Sequence, residues 1–355
     1  MHASPPSAQA RWPALTGGLI ALLAAVLFGV STPLVQHLGA NVGSFTTAGL
    51  LYAGAACIGA MMRRAGDREA GMQRTDLRRL AGMALFGAVI GPVALAWGLQ
   101  HTSGAGASLL LTLEAVFTAL LARLWYHESL GRRVIVALSL LTLGGALLVL
   151  DRAQAGRGQL AGLLAVLAAT ASWGVDNTLS RGLSARDPGQ VVMTKAALGA
   201  LATALLAIAF GESRPGWGSA LGLLLVGAAG YGLSLRFYLL AQRTFGAART
   251  GSIFGFAPLV GAVFAVVLGE RDITPWMMAG GILMLVGLWV HLSETHAHDH
   301  LHEALEHDHA HRHDDGHHEH EHHPTPPGPH SHPHRHAPVG HSHAHMPDEH
   351  HAHRH

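Results

Sequence analysis

The sequence predicts an all-α membrane protein: ten transmembrane helices arranged as two inverted five-helix repeats, followed by a disordered tail. Three observations carry this. Hydrophobic residues make up 49% of the 355 and Asp, Glu, Lys and Arg only 13%, where an ordinary soluble domain carries about 25% charge. Apolar runs of about 20 residues, the length that crosses a hydrocarbon core of roughly 30 Å, recur between short polar or Gly/Pro-marked breaks. Stretches of the first half also return in the second.

The placement of charge excludes several classes of protein. Of 29 His, 24 follow residue 292, and of 22 Asp and Glu, 11 do, so the first 292 residues are almost free of acids and read as membrane rather than as a soluble enzyme. A formal charge of +1 argues against nucleic acid as a partner. The single Cys57 lies in an apolar run, which rules out an intrachain disulfide and leaves a thiolate metal site without partners.

Taken in order, the expected spans are residues 14–36, 45–62, 80–99, 104–126, 134–150, 160–180, 190–210, 219–241, 250–269 and 275–292. The first is too long for the apolar core of a signal peptide and runs into Thr32-Pro33-Leu34 without a small-residue cleavage pattern, so it reads as a retained helix. With the N-terminus in the cytoplasm, the inner loops hold thirteen Arg and the outer loops four, namely Arg152, Arg157, Arg214 and Arg271. The excess of positive charge inside places both termini in the cytoplasm.

The chain then divides into a cytoplasmic segment 1–13, a first repeat 14–151, a second repeat 158–292 and a tail 293–355. Gly17 to Val30 aligns with Gly162 to Val175, ending in Phe28-Gly-Val and Trp173-Gly-Val. Gln100-His-Thr-Ser-Gly-Ala105 aligns with Gln242-Arg-Thr-Phe-Gly-Ala247. Five helices are an odd number, so the second repeat must be inverted in the membrane, a plan common among secondary transporters, whose site lies near the midplane where the halves meet.

Phe28-Gly-Val-Ser-Thr-Pro33 in the first helix, Leu113-Glu-Ala-Val-Phe-Thr-Ala-Leu-Leu-Ala122 running on to Glu128 in the fourth, and Phe256-Ala-Pro-Leu-Val-Gly261 running on to Gly269-Glu270 in the ninth resemble the EamA repeats of the drug/metabolite transporter superfamily. The resemblance spans residues 14–292. It implies an inner-membrane exporter of a small metabolite, amino acid or toxic analogue. In one respect the chain departs from the family: where the fourth helix often reads Glu-Pro, this chain has Glu114-Ala115, while Pro258 remains in the ninth.

Glu114 is the sharpest feature of the membrane region. Counted from residue 104 at about 1.5 Å per residue it lies roughly 15 Å deep, at the midplane, where a carboxylate is costly and cannot snorkel. It must be protonated, paired or wet. One reading makes it the proton-coupled or substrate-binding carboxylate; the other makes it a neutral acid hydrogen-bonded to Thr112, Ser108 or a neighbouring helix. Lys195, Arg236 and Arg123 are expected to snorkel to the cytoplasmic face, the alternative being an inner gate that pairs Asp176 with Lys195 or Arg236. Asp176-Asn177 stands where the first repeat has Ser31-Thr32. Pro258, after Gly255, is expected to free a carbonyl within the ninth helix. Phe28, Trp97, Trp173, Tyr231 and Phe256 either line an amphipathic cavity or pack helices. Glu128 and Glu270 read as structural.

The tail alternates His with other residues at His296, His298, His300 and His302, again at His307, His309, His311 and His313, and continues through His317, His318, His320 and His322. It has no apolar periodicity, and Pro324, Pro326, Pro327 and Pro329 break any helix, so it is expected to be disordered without a ligand. Imidazoles on a flexible chain converge on borderline ions, and the metals expected are zinc, nickel, cobalt or copper. No cofactor is required by this reading. The competing function is export of a divalent metal (zinc, nickel or cobalt) captured by the tail. Against it, the helices hold one midplane acid and no His pair or Asp pair, whereas a dehydrated dication needs several ligands. No nucleophile and base can be placed together, so an enzyme is not expected. The bilayer, a small-molecule substrate and metal ions at the tail are the expected partners; self-association into a homodimer is left open.

Overall fold

A computed structural model describes residues 11–62, 72–126, 130–180, 183, 186–245 and 247–292, together with the backbone of four segments of the tail. Between residues 11 and 292 every regular element described is helical. Eight helices are long and apolar enough to cross a membrane: α1 (Arg11–Gly39), α2 (Ser44–Met62), α3 (Arg74–Leu99), α4 (Gly104–Tyr126), α5 (Arg132–Ala155), α6 (Arg157–Ser180), α7 (Pro188–Ala209) and α8 (Trp217–Ala241). Three shorter helices follow, α9 (Ala247–Phe254), α10 (Ala257–Val267) and α11 (Pro275–Leu292), of which the last two are also apolar.

Where the sequence predicts one helix over 250–269, the structure has two. Pro258 stands in the first turn of α10, where its missing N–H costs nothing and its fixed φ suits the turn. It therefore starts a helix rather than kinking one. Two spans depart from α geometry in their middles, with π-helical stretches at Ala84–Ile90 in α3 and Gly227–Leu233 in α8.

Small residues set the packing. In lipid, helices gain little from hiding apolar surface from one another, and contact depends on close backbone approach. A Cβ on Gly144 of α5 would lie 2.7 Å from the Gly280 carbonyl of α11, and one on Gly280 would lie 2.9 Å from the Gly144 carbonyl. Gly29 of α1 faces the Ala257 carbonyl of α10 in the same manner, and Gly174 of α6 faces Phe117 of α4. Large apolar side chains such as Leu19, Ile208, Trp217 and Val267 are exposed, as a lipid-facing surface requires.

Each end of the bundle is stitched by polar groups. At the end carrying the α1–α2, α3–α4, α7–α8 and α10–α11 connections, Glu212 accepts hydrogen bonds from the backbone N–H groups of Phe45 (3.0 Å) and Thr46 (2.7 Å) and from the Thr46 hydroxyl (2.7 Å). It thereby caps α2, since a carboxylate suits the positive end of the helix. Glu270 does the same for α4 through Ala105 N–H (3.0 Å), which is the structural role its position predicts. Gln36 donates to the carbonyls of Leu99 and Thr102, and Gln100 donates to those of Gly39 and Val42. At the opposite end Arg186 pairs with Asp76 at 2.9 Å.

In the tail, the segments His296–His302 and Val339–His345 pair antiparallel, as do Leu305–His311 and His330–His336. Alternation of His with other residues has the period of a strand, a pattern that counts against a helix but not against extended pairing.

Candidate functional site

The site is built on α6. Its residues Trp173, Asp176 and Asn177 follow one another within a little over one turn, so their side chains fan out toward three neighbours. Asp176 is only 6% exposed, and its Oδ2 accepts from the Lys195 ammonium of α7. Its other oxygen, Oδ1, meets no hydrogen-bond donor among the described residues. Asn177, one residue on, is exposed and donates to Glu114 Oε1 of α4 at 2.5 Å. The two acids are therefore joined through adjacent residues of one helix.

α3 closes the site from the side. The Gly87 carbonyl, inside the π-helical stretch, accepts from the Tyr52 hydroxyl of α2 (2.5 Å) and from Trp173 Nε1 (3.0 Å). The Asp176 carboxyl occupies the space that a side chain at Gly87 would need. Above it, aromatic rings meet edge to face or tilted: Phe28 lies 6.4 Å from Trp173, 5.8 Å from Tyr231 and 5.4 Å from Phe254, and Tyr52 lies 5.7 Å from Tyr231. These separations suit aromatic pairing and draw α1, α2, α6, α8 and α9 together.

Of the residues the sequence singles out, Phe28, Trp173, Tyr231, Asp176 and Glu114 are brought together. Pro258 is not among them; its neighbour Ala257 abuts Gly29, one residue from Phe28. Trp97 stacks on His101 at 4.1 Å, away from the cluster, and Phe254 rather than Phe256 meets Phe28. Lys195 does not snorkel. Its side chain is 13% exposed and paired with Asp176, the alternative the sequence offers. Glu114 is bound by a neighbouring helix, while Ser108 Oγ and Thr112 Oγ1 have no hydrogen-bond partner among the described residues. Sequence reasoning missed Tyr52 and Gly87 and gave Asn177 a place in the repeat alignment but no role of its own. Tyr52 and Asn177 carry the available signal, a polar atom within an apolar run.

In the tail, the backbone at His296, His298, His300, His302, His307, His309 and His311 is extended. His313, His317, His318, His320 and His322, like Glu128, lie outside the described residues. Among the described residues no three His, Cys, Asp or Glu side chains stand together to hold a metal ion.

Charged groups paired among apolar helices, with aromatic rings and small residues around them, mark a multi-pass membrane protein. The model of the EamA-like transporter family matches residues 15–150 and 160–293, and the chain belongs to that family. It is 30% identical over 240 residues, 64% of this chain and 68% of the relative, to an uncharacterized transporter of Methanothermobacter thermautotrophicus. A solved crystal structure with 20% sequence identity shares the fold, with a TM-score of 0.58 over 78% of this chain and 95% of that one. Family membership places the chain among transporters rather than enzymes.

Proposed function

We propose that the protein is an inner-membrane secondary transporter that exports a small metabolite, amino acid or toxic analogue in exchange for protons, with Glu114 in the coupling site and both termini in the cytoplasm. The observation that carries this is the joining of Glu114 to Asn177 beside the buried Asp176 and Lys195 pair, where helices from both family-matched segments meet. An isolated carboxylate at this depth is unfavourable, and a group that gains and loses a proton during each cycle explains why it is there. Asn177 is exposed, and since an amide facing lipid is costly, this surface reads as a water-lined approach to Glu114.

On this reading the chain has ten spans in two inverted five-helix repeats, α9 and α10 together making the ninth. Matched features support it. Gly87 and Gly230 sit at the centres of the two π-helical stretches, and each meets a residue of the other segment, Asp176 for the first and Ser31 for the second. Ser31 and Asp176 are the residues that align between the repeats. The tail on this reading binds zinc, nickel, cobalt or copper from the cytoplasm as a buffer or sensor. Metal as cargo is the weaker reading, because the membrane helices present no three-ligand group among the described residues.

The test is a growth comparison of a deletion strain, restored with full-length or tail-truncated protein, against a panel of metals, amines and amino-acid analogues. Sensitivity to an organic compound, relieved by both forms, is expected. Sensitivity to metals alone, relieved only by the full-length form, would overturn it. A reporter fused at His355 should be active only in its cytoplasm-dependent form.

A further inference from the structure

We propose that the tail holds metal between its two His-rich segments, 296–311 and 330–345, in two separate all-imidazole sites that each take ligands from both segments, so that the bound ions clasp the tail into a hairpin. The inference rests on the metal-binding reading of the tail and adds the ligand sets and the fold that the ions close.

The backbone register sets His against His. In the outer pairing His296 stands opposite His345, His298 opposite His343 and His300 opposite His341. In the inner pairing, which continues the same register, His307 stands opposite His334, His309 opposite His332 and His311 opposite His330. The sequence carries its own mark of this arrangement. His recurs at every second residue on both segments, yet each segment slips phase once, by a five-residue step from His302 to His307 and by another from His336 to His341. The slips lie against each other, with His302 opposite Val339 and His336 opposite Leu305, so His meets His again beyond them. Two unrelated low-complexity runs have no reason to slip at matching places.

Strand geometry makes each half a ligand set. Residues two apart share a face, so the paired His positions of each half lie on one face, with neighbouring pairs about 7 Å apart along the strand and about 5 Å across it. Imidazoles from two such pairs can meet one ion. The acids alternate with the His and fall on the other face: Asp299 stands opposite Ser342, Asp308 opposite Pro333 and Glu306 opposite Arg335. The sites are therefore built of nitrogen alone, a set that suits zinc, nickel or copper and not magnesium or calcium. A two-stranded ribbon is marginal in water by itself, and bringing the two segments together costs loop-closure entropy. Ions shared between the strands offset both, which couples binding to closure of the hairpin.

The experiment titrates zinc into the purified, metal-stripped full-length chain in detergent and counts bound ions by calorimetry. One variant replaces His307, His309 and His311 with Asn, a second replaces His330, His332 and His334, and a third combines the two. Each triple variant should lose the same site, and the combined variant should lose no more zinc than either alone. Replacing His317, His318 and His320 with Asn should leave both sites in place. Closure is read separately on a Cys57→Ser chain with spin labels at Asp299→Cys and Ser342→Cys, where zinc should give a single short distance, since the Cα atoms of opposite residues lie about 5 Å apart. Losses that add in the combined variant, or labels that stay far apart with zinc bound, would overturn the inference while leaving the metal-binding reading of the tail intact. No zinc bound by the unaltered chain at neutral pH would overturn both.

Discussion

The Asp176 carboxyl lies where the side chain of Gly87 would stand, so the only residue that fits at position 87 without displacing the acid is glycine. One backbone position of α3 thereby fixes the carboxylate that Lys195 neutralises, and the same glycine offers its carbonyl to Tyr52 and Trp173. Gly87→Ala is expected to destabilise the protein by about 1–3 kcal/mol, the usual range for overpacking, and to stop transport. Adding Asp176→Ala together with Lys195→Met, which removes the ion pair as a unit, should restore much of the melting temperature of the purified protein but not its transport. Unchanged stability of the single variant would show that the carboxyl moves aside freely.

The hydroxyl of Tyr52 and the indole of Trp173 share one acceptor. Tyr52→Phe should cost about 1 kcal/mol, the net worth of one hydrogen bond, because the Gly87 carbonyl retains Trp173. The double variant Tyr52→Phe with Trp173→Phe should cost more than the two single losses together, since it leaves a buried carbonyl without a donor. Thermal unfolding in detergent measures all three.

Glu212 holds the first turn of α2 through three hydrogen bonds from a loop of the second family-matched segment. Glu212→Ala should lower stability by on the order of 2 kcal/mol, as expected for a charged acceptor removed from backbone donors. Glu212→Gln, which keeps one acceptor oxygen, should lose less. Equal losses would mean that the charge and the paired oxygens, not packing or a single acceptor, carry the cap. A thiol introduced near Gly43 should also label faster in the Ala variant, because this end of the bundle opens more often.

For the tail, a peptide covering residues 294–355 is expected to bind several zinc or nickel ions at neutral pH and to release them below about pH 6, as imidazoles take up protons in place of metal. Calorimetry at both pH values checks this. Cutting the full chain after Ser293 should leave the helical region inserted and folded, since the core is made by α1 to α11. Loss of insertion on truncation would contradict that assignment.

Much of this fold is legible because membrane spans announce themselves by length and apolarity. The ends of α4 are those expected, and most of the other spans agree to within a few residues. The ninth run is less legible, because apolarity alone does not register that Gly255 and Pro258 end one helix and begin another. Glu114 and Asp176 stand out as acids in apolar surroundings, and Phe28 and Trp173 align between the repeats. What the sequence conceals is partnership across helices. Lys195 lies close enough to an interface to snorkel, and only the arrangement of α6 against α7 turns it inward to Asp176. Gly87 is one of 44 glycines, and nothing in a linear chain marks it as the one against which a carboxylate rests.

The central claim is that Glu114 carries the coupling proton, and the most direct measurement is pH-gradient-driven transport by Glu114→Gln in proteoliposomes, beside exchange of substrate for substrate without a gradient. Gln keeps the shape of the side chain and an oxygen to accept from Asn177, so the protein should fold and melt as the unaltered chain does. The account predicts that gradient-driven net transport is lost while exchange persists. Gradient-driven transport by the Gln variant at the unaltered rate would contradict it and remove Glu114 from the mechanism.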